Sequence, residues 1–398
     1  MRILIVKLSS LGDIAHALPA VRLLKARTGA AIDWVVQPEY APLLDACTLV
    51  DRTIHFPRKH FFRDFLPFRR ALRENQYDLV LDLQGLMKSA IAARLSRAAW
   101  RVGPAWSREG SHLLYDARPD RRDGPRRHAT DELIDLIDTV APPPEDGAPE
   151  PPLPPLDFTF PESAAPDDPG PRIAFTPFSR WTTKDWPSDH FIALGRRLLA
   201  EIGGTIRILG GPADTAAGQA MAAAIGDRAT NLCGHTTLPT LCSELQSADL
   251  VIGVDSGPLH WANLLGTPLV AIYGSTDPAR TGPWNNLSSV LTVSLPCRPC
   301  HSRTCATAPS TPVPPASPPS PPTPSSPPPS PASDSAALGG NLAKRFPRRI
   351  ERLTFICCFP EVSQPQGRAE ARPSRCVLQG GGTRFCASAV EMPARRAD

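Results

Sequence analysis

Short apolar runs alternate with amphipathic stretches along residues 1–305, and polar turns separate the two kinds of segment. The runs span three to seven residues and are rich in Val, Ile and Leu, which is typical of buried parallel strands. The longer stretches have the spacing of apolar positions that indicates helices. The predicted strands are residues 2–8, 31–36, 54–56, 78–83, 172–176, 205–209, 250–254 and 269–273. The predicted helices are residues 14–28, 65–75, 88–97, 130–140, 188–202, 215–225, 238–247 and 260–265.

The clearest unit is residues 250–278, where a strand, a helix and a second strand follow one another. The first strand stops at Asp255-Ser256-Gly257-Pro258, in which Ser can cap a helix and Pro can open it. Ligands of open α/β sheets bind beyond the carboxyl ends of the strands. The free amides of Ser256 and Gly257 at the start of a helix suit a phosphate, so this turn predicts an anionic ligand.

A proline-rich segment divides the pattern into two halves of the same kind. Proline can continue neither a helix nor a central strand, so residues 141–171 are predicted to be a linker with one edge strand at 156–160. The predicted fold class is therefore α/β, with two Rossmann-like domains at residues 1–140 and 172–305. Residues 306–398 begin with a long Pro/Ser tract that cannot bury enough apolar surface to fold, and they are predicted to be a disordered tail.

Basic residues are concentrated in the first half of the chain. Residues 1–130 contain 22 Lys and Arg against 13 Asp and Glu, whereas residues 173–305 contain nine of each class. This asymmetry predicts that the first domain meets an acidic partner, which is nucleic acid, an anionic lipid head group or an acidic sugar. The basic, aromatic loop that contains Arg58, Lys59 and Arg63 is a candidate contact, although it matches no nucleic-acid-binding motif.

No apolar run reaches the roughly 18 residues of a membrane helix, and the first apolar run passes directly into a turn. The N-terminal segment is therefore expected to be neither a signal peptide nor an anchor. Cys47, Cys233 and Cys242 are scattered singly through the predicted domains, which suits a reducing compartment better than a disulfide framework. These features predict a cytoplasmic protein.

Asp13 lies in the loop between the first predicted strand and its helix, at the carboxyl edge of the predicted sheet. A carboxylate at this position gains from the positive end of the helix dipole and is well placed for a general base. A simple helix-capping role explains the residue equally well. No G-x-G-x-x-G motif follows this strand, which argues against a dinucleotide cofactor.

Polar side chains also follow two strands of the second predicted domain. Ser179, Arg180 and Lys184 come after the strand at 172–176 and are expected to share a sheet edge with Asp255. Hydroxyls, cations and helix amides that converge on one edge predict a diphosphate clamp. Asp214 follows the strand at 205–209, where an acid can accept hydrogen bonds from ribose hydroxyls.

Six motifs occur in the order in which one known family has them. They are LIVKLSSLGDIAHALPAV, LDLQGLMKSA, TPFSRWTTKDWP, ILGGPAD, GVDSGPLHWANLLGTPLVAIYGSTDP and CRPCHSRTC. On these motifs, residues 1–305 resemble the family 9 glycosyltransferases, which are the lipopolysaccharide heptosyltransferases. The resemblance implies two facing domains of the GT-B kind, with a lipid-A-linked acidic sugar acceptor on the first and ADP-heptose on the second.

The resemblance also implies roles for individual residues. Asp13 matches the general base that activates the acceptor hydroxyl, and Lys184 matches the lysine that offsets negative charge on the leaving diphosphate. The positions that match donor-binding residues are Ser179, Arg180, Asp214, Asp255, Ser256, Gly257 and His260. The predicted contacts of the acceptor carboxylates are Arg58, Lys59 and Arg63.

The resemblance further implies a reaction that inverts the anomeric carbon, releases ADP and needs neither a metal ion nor a cofactor. The acceptor is expected to be Kdo-lipid A or heptosyl-Kdo-lipid A, and the sequence does not distinguish the two. The enzyme is expected to work in the cytoplasm, in peripheral contact with the inner membrane and without nucleic acid.

Some features depart from the family pattern or admit another explanation. Arg180 replaces a hydroxyl found in some relatives, and His260 could be a helix histidine bonded to a nearby backbone group. The C-x2-C-x4-C spacing at 297–305 lacks a fourth ligand for zinc. The closing helices expected after Cys305 are missing, which suggests a frameshift or a true disordered tail. Two alternative functions therefore stay open: an inactive relative that binds a nucleotide sugar without transfer, and a nucleic-acid-binding protein.

Overall fold

The computed structural model describes residues 1–58, 61–120, 127–144, 148–163, 170–292 and 296–305, without the side chains of Phe61 and Phe62. These residues form two lobes, each built on a sheet whose strand pairs are all parallel. The predicted α/β class with two Rossmann-like units is confirmed. Lys59 and the predicted tail at 306–398 lie outside the described residues.

The N-terminal lobe is built on five strands. They are β1 (Arg2–Val6), β2 (Ala31–Val36), β3 (Arg52–His55), β4 (Leu79–Asp82) and β5 (Trp100–Val102). The helices of this lobe are α1 (Leu11–Thr28), α2 (Ala41–Asp45), α3 (Phe61–Leu72), α4 (Met87–Leu95) and α5 (Ala129–Val140). The strands lie in the order β3-β2-β1-β4-β5.

The C-terminal lobe is built on six strands. They are β6 (Arg172–Thr176), β7 (Thr205–Ile208), β8 (Ala229–Asn231), β9 (Leu250–Val254), β10 (Leu269–Tyr273) and β11 (Val290–Thr292). The helices of this lobe are α6 (Ser188–Glu201), α7 (Thr215–Ile225), α8 (Leu238–Ser247), α9 (Gly257–Leu264) and α10 (Pro278–Thr281). The strands lie in the order β11-β10-β9-β6-β7-β8.

In each sheet, successive strands are added toward one edge, and after one return to the centre they are added toward the other edge. The reversal lies between β1 and β4 in the N-terminal lobe and between β6 and β9 in the C-terminal lobe. At such a point the connections leave on opposite faces of the sheet, and a crevice forms beyond the carboxyl ends of the strands. The first turn of α1, which follows β1, carries Asp13, and the connections after β6 and β9 carry Lys184 and Asp255. Both reversals therefore lie where the predicted site residues are.

One apolar cluster continues from lobe to lobe. Helices α1 and α5 contribute residues such as Leu18 and Leu136, and helices α8 and α9 contribute Leu245 and Trp261. Trp261 is fully buried, and its indole N–H donates to the carbonyl of Leu11 at 3.0 Å. The burial of this shared cluster stabilises the association of the two lobes, since apolar area is removed from water on both sides.

The structure corrects the sequence predictions mainly at the sheet edges. The apolar pattern does not predict β5, β8 or β11, because each has three residues and a partly exposed face. The predicted edge strand at 156–160 is wrong: within this described stretch, one isolated antiparallel bridge from Phe158 to Cys47 replaces it. Helix α1 begins at Leu11 rather than Ile14 because Ser10 and Asp13 form a capping box. The domain boundaries at 140 and 172 stay a prediction.

A helix that crosses a bilayer is both long and apolar. No helix in the described ranges meets both requirements.

Candidate active site

Helices α1 and α9 touch close to their first turns, and glycines permit this contact. A Cβ on Gly12 would lie 2.8 Å from Cδ2 of His260, and a Cβ on Gly257 would lie 2.9 Å from Cβ of Leu11. Real side-chain carbons do not approach so closely, so both positions need glycine for the close approach of the two lobes. The contact brings the turn that carries Asp13 against the start of helix α9.

Asp13 is exposed and serves as a cap of its own helix. Its Oδ2 accepts hydrogen bonds from the backbone N–H of Ser10 at 2.7 Å and from the Ser10 hydroxyl at 2.8 Å. The helix-capping role of Asp13 is therefore confirmed. Because the carboxylate is exposed, the same side chain is also open to a bound molecule.

A cavity of about 280 Å³ lies beside Asp13. Residues of both lobes line it, and three of them are cationic: Lys7, Arg108 and Arg280. Arg280 comes from helix α10 of the C-terminal lobe, and its guanidinium lies 3.5 Å from the carboxylate of Glu132. The three cations outnumber the two carboxylates in the lining, Asp13 and Glu132, so the cavity suits a polar molecule that carries negative charge.

Lys7 is the buried cation of this cavity. Its ammonium donates to the carbonyl of Leu83 at 3.0 Å. Burial lowers the pKa of Lys7, and the negative charges of Asp13 and Asp82 oppose that effect. The negative charges of Asp13 and Asp82 therefore favour the charged form of Lys7.

Asp255 is the centre of the polar cluster at the start of helix α9. Its Oδ2 lies 2.7 Å from Nζ of Lys184 and accepts from the hydroxyl of Thr276 at 2.7 Å, and its Oδ1 lies 3.3 Å from Nε2 of His260. Burial alone would raise the pKa of Asp255, but the hydrogen bond and charge of His260 and the ammonium of Lys184 outweigh it and lower that pKa. Asp255 therefore stays ionised and fixes Lys184 in place.

The contact between His260 and Asp255 also corrects one expectation. The alternative of a histidine bonded to a backbone group is wrong for Nε2, which faces the Asp255 carboxylate. This contact joins the strand-to-helix turn to the first turn of α9.

Ser256 offers an unused hydroxyl at the same place. Its Oγ is buried and has no hydrogen-bond partner among the described residues. Ser256 precedes Gly257, the first residue of α9, so the unpaired amides of the helix start lie alongside. A hydroxyl and helix amides next to Lys184 form a set of donors that suits a phosphate.

Ser179 and Arg180 follow β6 but make different contacts. The Ser179 hydroxyl donates to the carbonyl of Trp181 at 2.7 Å and accepts from its N–H at 3.1 Å, so it shapes the turn. Arg180 is exposed and lies close to the hydroxyl of Tyr40 in the N-terminal lobe. Arg180 therefore reaches across between the lobes rather than toward Asp255.

Asp214 lies past the carboxyl end of β7, where the predicted ribose contact would be. Its Oδ2 accepts from the N–H of Gly211 at 2.8 Å. Burial raises the pKa of Asp185, and the negative charge of Asp214 adds to this effect while Lys184 opposes it. Asp214 and Lys184 are thus close enough to act electrostatically on one carboxylate.

Three histidines from different elements meet where the lobes touch. The ring of His16 lies with its centroid 4.4 Å from that of His260 and 5.2 Å from that of His128. Burial lowers the pKa of His16 well below its usual value, and the nearby His260 and His128 lower it further. His16 is therefore neutral near pH 7, and it lines both the cavity beside Asp13 and a second cavity of about 330 Å³.

The predicted acceptor residues lie apart from Asp13. Arg58 bonds to Gln37 and Glu39, each at 3.3 Å, and Arg63 is an exposed residue of α3 that pairs with its neighbour Asp64 at 2.7 Å. Neither arginine lines the cavity beside Asp13. Lys59 lies outside the described residues.

Several site residues are not found by the sequence pattern. Lys7 has a local signal, because it is a cation inside the first apolar run. Arg108, Arg280, Thr276 and His16 have none, since tertiary packing brings their separate segments together.

Across the part of the chain that the structure describes, no group of three or more His, Cys, Asp or Glu has an arrangement that would hold a metal ion. The thiols of Cys297 and Cys300 are free and exposed, and Cys305 is exposed as well.

Comparison with known proteins identifies the family that the chain resembles. Residues 65–310, more than half of the chain, match the family described as glycosyltransferase family 9 (heptosyltransferase). Lipopolysaccharide heptosyltransferase 1 of Pseudomonas aeruginosa is 30% identical over 325 residues, which cover 75% of this chain and 86% of that protein.

Two solved structures resemble the two lobes together. The E. coli heptosyltransferase WaaC with ADP is 28% identical, with a TM-score of 0.59 over 71% of this chain and 90% of that chain. The structure of E. coli ADP-heptose LPS heptosyltransferase II has a TM-score of 0.63 at 24% identity, over 74% of this chain and 91% of that chain, and bears on the fold alone.

Proposed function

Because the chain belongs to glycosyltransferase family 9, the heptosyltransferase family, we propose that it transfers heptose from ADP-heptose to the Kdo or heptose residues of the lipopolysaccharide inner core. The observation that carries this proposal is the contact of Gly12 with His260. It joins the turn of Asp13 in one lobe to the helix whose start carries Asp255 in the other lobe. A base and a donor site therefore border one cleft.

The donor would bind at the carboxyl edge of the C-terminal sheet. Its diphosphate would lie at Lys184, the hydroxyl of Ser256 and the amide of Gly257, because these groups supply positive charge and hydrogen-bond donors. Asp255 would hold the Lys184 ammonium in position, and Asp214 would accept from the ribose hydroxyls. The solved relative WaaC is described with ADP, which supports this assignment.

In the proposed step, the Asp13 carboxylate accepts the proton of the acceptor hydroxyl. The freed oxygen forms a bond to the anomeric carbon of the heptose from the face opposite the diphosphate. The bond from that carbon to the phosphate oxygen breaks, and its electron pair leaves with ADP. Configuration therefore inverts, and Lys184 offsets the charge that develops on the leaving group. As written, the step uses no metal ion or cofactor.

The acceptor would occupy the cavity beside Asp13. The acidic sugar would meet Lys7, Arg108 and Arg280 there, and these three cations extend the acceptor site beyond the predicted Arg58 and Arg63. Carboxylates pair most strongly with arginine, whose donors match their geometry.

We further propose peripheral contact with the cytoplasmic face of the inner membrane through helix α3. Arg63, Leu66, Pro67 and Arg70 form an exposed stripe of α3, and Leu66 is 67% exposed. Such a basic stripe with a protruding leucine fits an anionic bilayer surface. Leu66→Asp should weaken sedimentation with vesicles that contain anionic lipid, and equal sedimentation of both proteins would contradict this contact.

The transfer reaction is tested with purified protein, ADP-heptose and two acceptors, Kdo-lipid A and heptosyl-Kdo-lipid A. Release of ADP with one acceptor and not the other would assign the step, and the anomeric coupling of the product would report inversion. ADP release that persists in excess EDTA would agree with a step that uses no metal. Binding of ADP without release from ADP-heptose on either acceptor would support the alternative of an inactive relative.

A further inference from the structure

The segment 296–305, here called the cysteine loop, lies against the donor cluster. The N–H of His301 donates to the carbonyl of Ser275 at 2.9 Å, and the hydroxyl of Thr183 donates to the carbonyl of Ser302 at 2.6 Å. Thr183 precedes Lys184 in the chain, and Ser275 precedes the Thr276 that bonds to Asp255. The loop is thus anchored to the neighbour of Lys184 and to the neighbour of the threonine that bonds to Asp255.

Trp181 brings two cations to this place. Nζ of Lys184 lies 4.9 Å from the centroid of the Trp181 ring, and Cζ of Arg303 lies 4.9 Å from the same ring. Stacking over an aromatic ring orients a guanidinium through the ring's electrostatic attraction. It also leaves the N–H groups at the guanidinium edge available, and these match the oxygens of a phosphate.

The balance of charge singles out Arg303. The charge of Lys184 is already offset by Asp255 at 2.7 Å, and Arg180 lies near the hydroxyl of Tyr40 in the other lobe. Arg303 is exposed and forms no ion pair with a carboxylate in the described part of the chain. A diphosphate carries more negative charge than one already paired lysine neutralises, so a second cation is needed.

The strand order indicates which phosphate Arg303 would meet. The sheet runs β10-β9-β6-β7, and Asp214, the proposed ribose contact, lies beyond β7. The cysteine loop bonds to residues beyond β10 and β6. It therefore lies toward the end of the donor that is remote from the ribose.

We infer that Arg303 is a further donor-binding residue. Its guanidinium, which like Lys184 lies over the Trp181 ring, contacts the outer phosphate of the nucleoside diphosphate, the one remote from the ribose. This inference rests on the proposed function, since it takes ADP-heptose as the donor. It gives the cysteine loop a role in substrate binding that does not involve its cysteines.

The test compares the affinities for ADP and AMP, measured by titration calorimetry on the full chain. Arg303→Gln should weaken ADP binding about tenfold, which is the effect of one lost charged contact of about 1.4 kcal/mol. It should change AMP binding less than twofold, because AMP lacks the outer phosphate. The control is Arg197→Gln, an exposed arginine of α6 that pairs with Glu201 at 3.4 Å, and it should bind both nucleotides as the unchanged protein does.

The outcomes separate this inference from the proposed function. If the unchanged protein binds neither nucleotide, the donor assignment itself fails. If it binds ADP and Arg303→Gln binds ADP equally well, the inference is overturned while the proposed function stands. Equal losses for ADP and AMP would overturn the assignment to the outer phosphate. Arg303→Lys retains the charge and should bind ADP more tightly than Arg303→Gln; equal affinities of the two variants would overturn the role of the charge.

Discussion

Asp13 has two roles that one substitution can separate. Its carboxylate caps helix α1 through Ser10, and we propose that it also accepts the proton of the acceptor hydroxyl. Asp13→Asn keeps a side-chain oxygen that can accept from Ser10, but it removes the basic carboxylate. The cap is therefore largely retained while the proposed base is lost.

The two roles differ in expected magnitude. The capping bonds are exposed to solvent, so weakening them should cost about 0.5–1 kcal/mol, which corresponds to roughly 1–2 °C in Tm for a chain of 398 residues. Loss of a general base should lower the rate of transfer by about 10²–10⁴, equivalent to about 3–5 kcal/mol in activation free energy. The loss of rate therefore far exceeds the loss of stability if Asp13 is the base.

The assay combines ADP release, calorimetric ADP binding and thermal melting on the same preparations. Thr237→Ala is the matched control, because the Thr237 hydroxyl caps helix α8 by accepting from the N–H of Thr240 at 3.3 Å. This variant should lose about 1 kcal/mol of stability and keep its rate of transfer. If Asp13→Asn melts like the control and also transfers heptose at the unchanged rate, Asp13 is a cap and not the base.

Three further predictions concern stability. Asp255→Asn should lower the free energy of unfolding, measured in urea, by about 2 kcal/mol. This is less than the roughly 3–5 kcal/mol expected when a fully buried ion pair is broken, because Lys184 is partly exposed. An unchanged urea midpoint would contradict the pairing of Asp255 with Lys184. Because His16 is held neutral, the unfolded chain gains a proton there below about pH 6.5, so stability should fall by up to about 1.4 kcal/mol per pH unit on acidification. Melts of His16→Phe from pH 7.5 to 5.5 should lack that part of the slope, and an identical slope would exclude His16 as its source. Trp261→Leu should cost about 3 kcal/mol through lost volume and the lost bond to Leu11; a change below about 1 kcal/mol would refute tight packing there.

The central strands could be predicted from the sequence, and the edge strands could not. Strands β6, β9 and β10 have the predicted limits because buried parallel strands are continuous apolar runs. Strands β8 and β11 have three residues and exposed or half-buried positions, so pairing with a neighbour, not local composition, makes them strands. The stretch 156–160, inside the proline-rich segment, has an apolar appearance but forms only the one bridge to Cys47 among its described residues.

The candidate site, like the fold, could be predicted only in part. Asp255, Ser256 and Lys184 could be placed at one edge because each follows a predicted strand, and the carboxyl ends of parallel strands share an edge. The cations beside Asp13 could not, since Lys7, Arg108 and Arg280 are brought together by the packing of two lobes. Sequence distance carries no information about such contacts.

The apolar cluster shared by α1, α5, α8 and α9 has a consequence for how the halves of the molecule depend on each other. Neither half has a complete hydrophobic core by itself, because each half supplies apolar residues that bury part of the other. A peptide-bond cut in the segment 141–171 should therefore leave two fragments that co-elute from a sizing column. Each half expressed by itself would present a large water-exposed hydrocarbon surface and tend to aggregate.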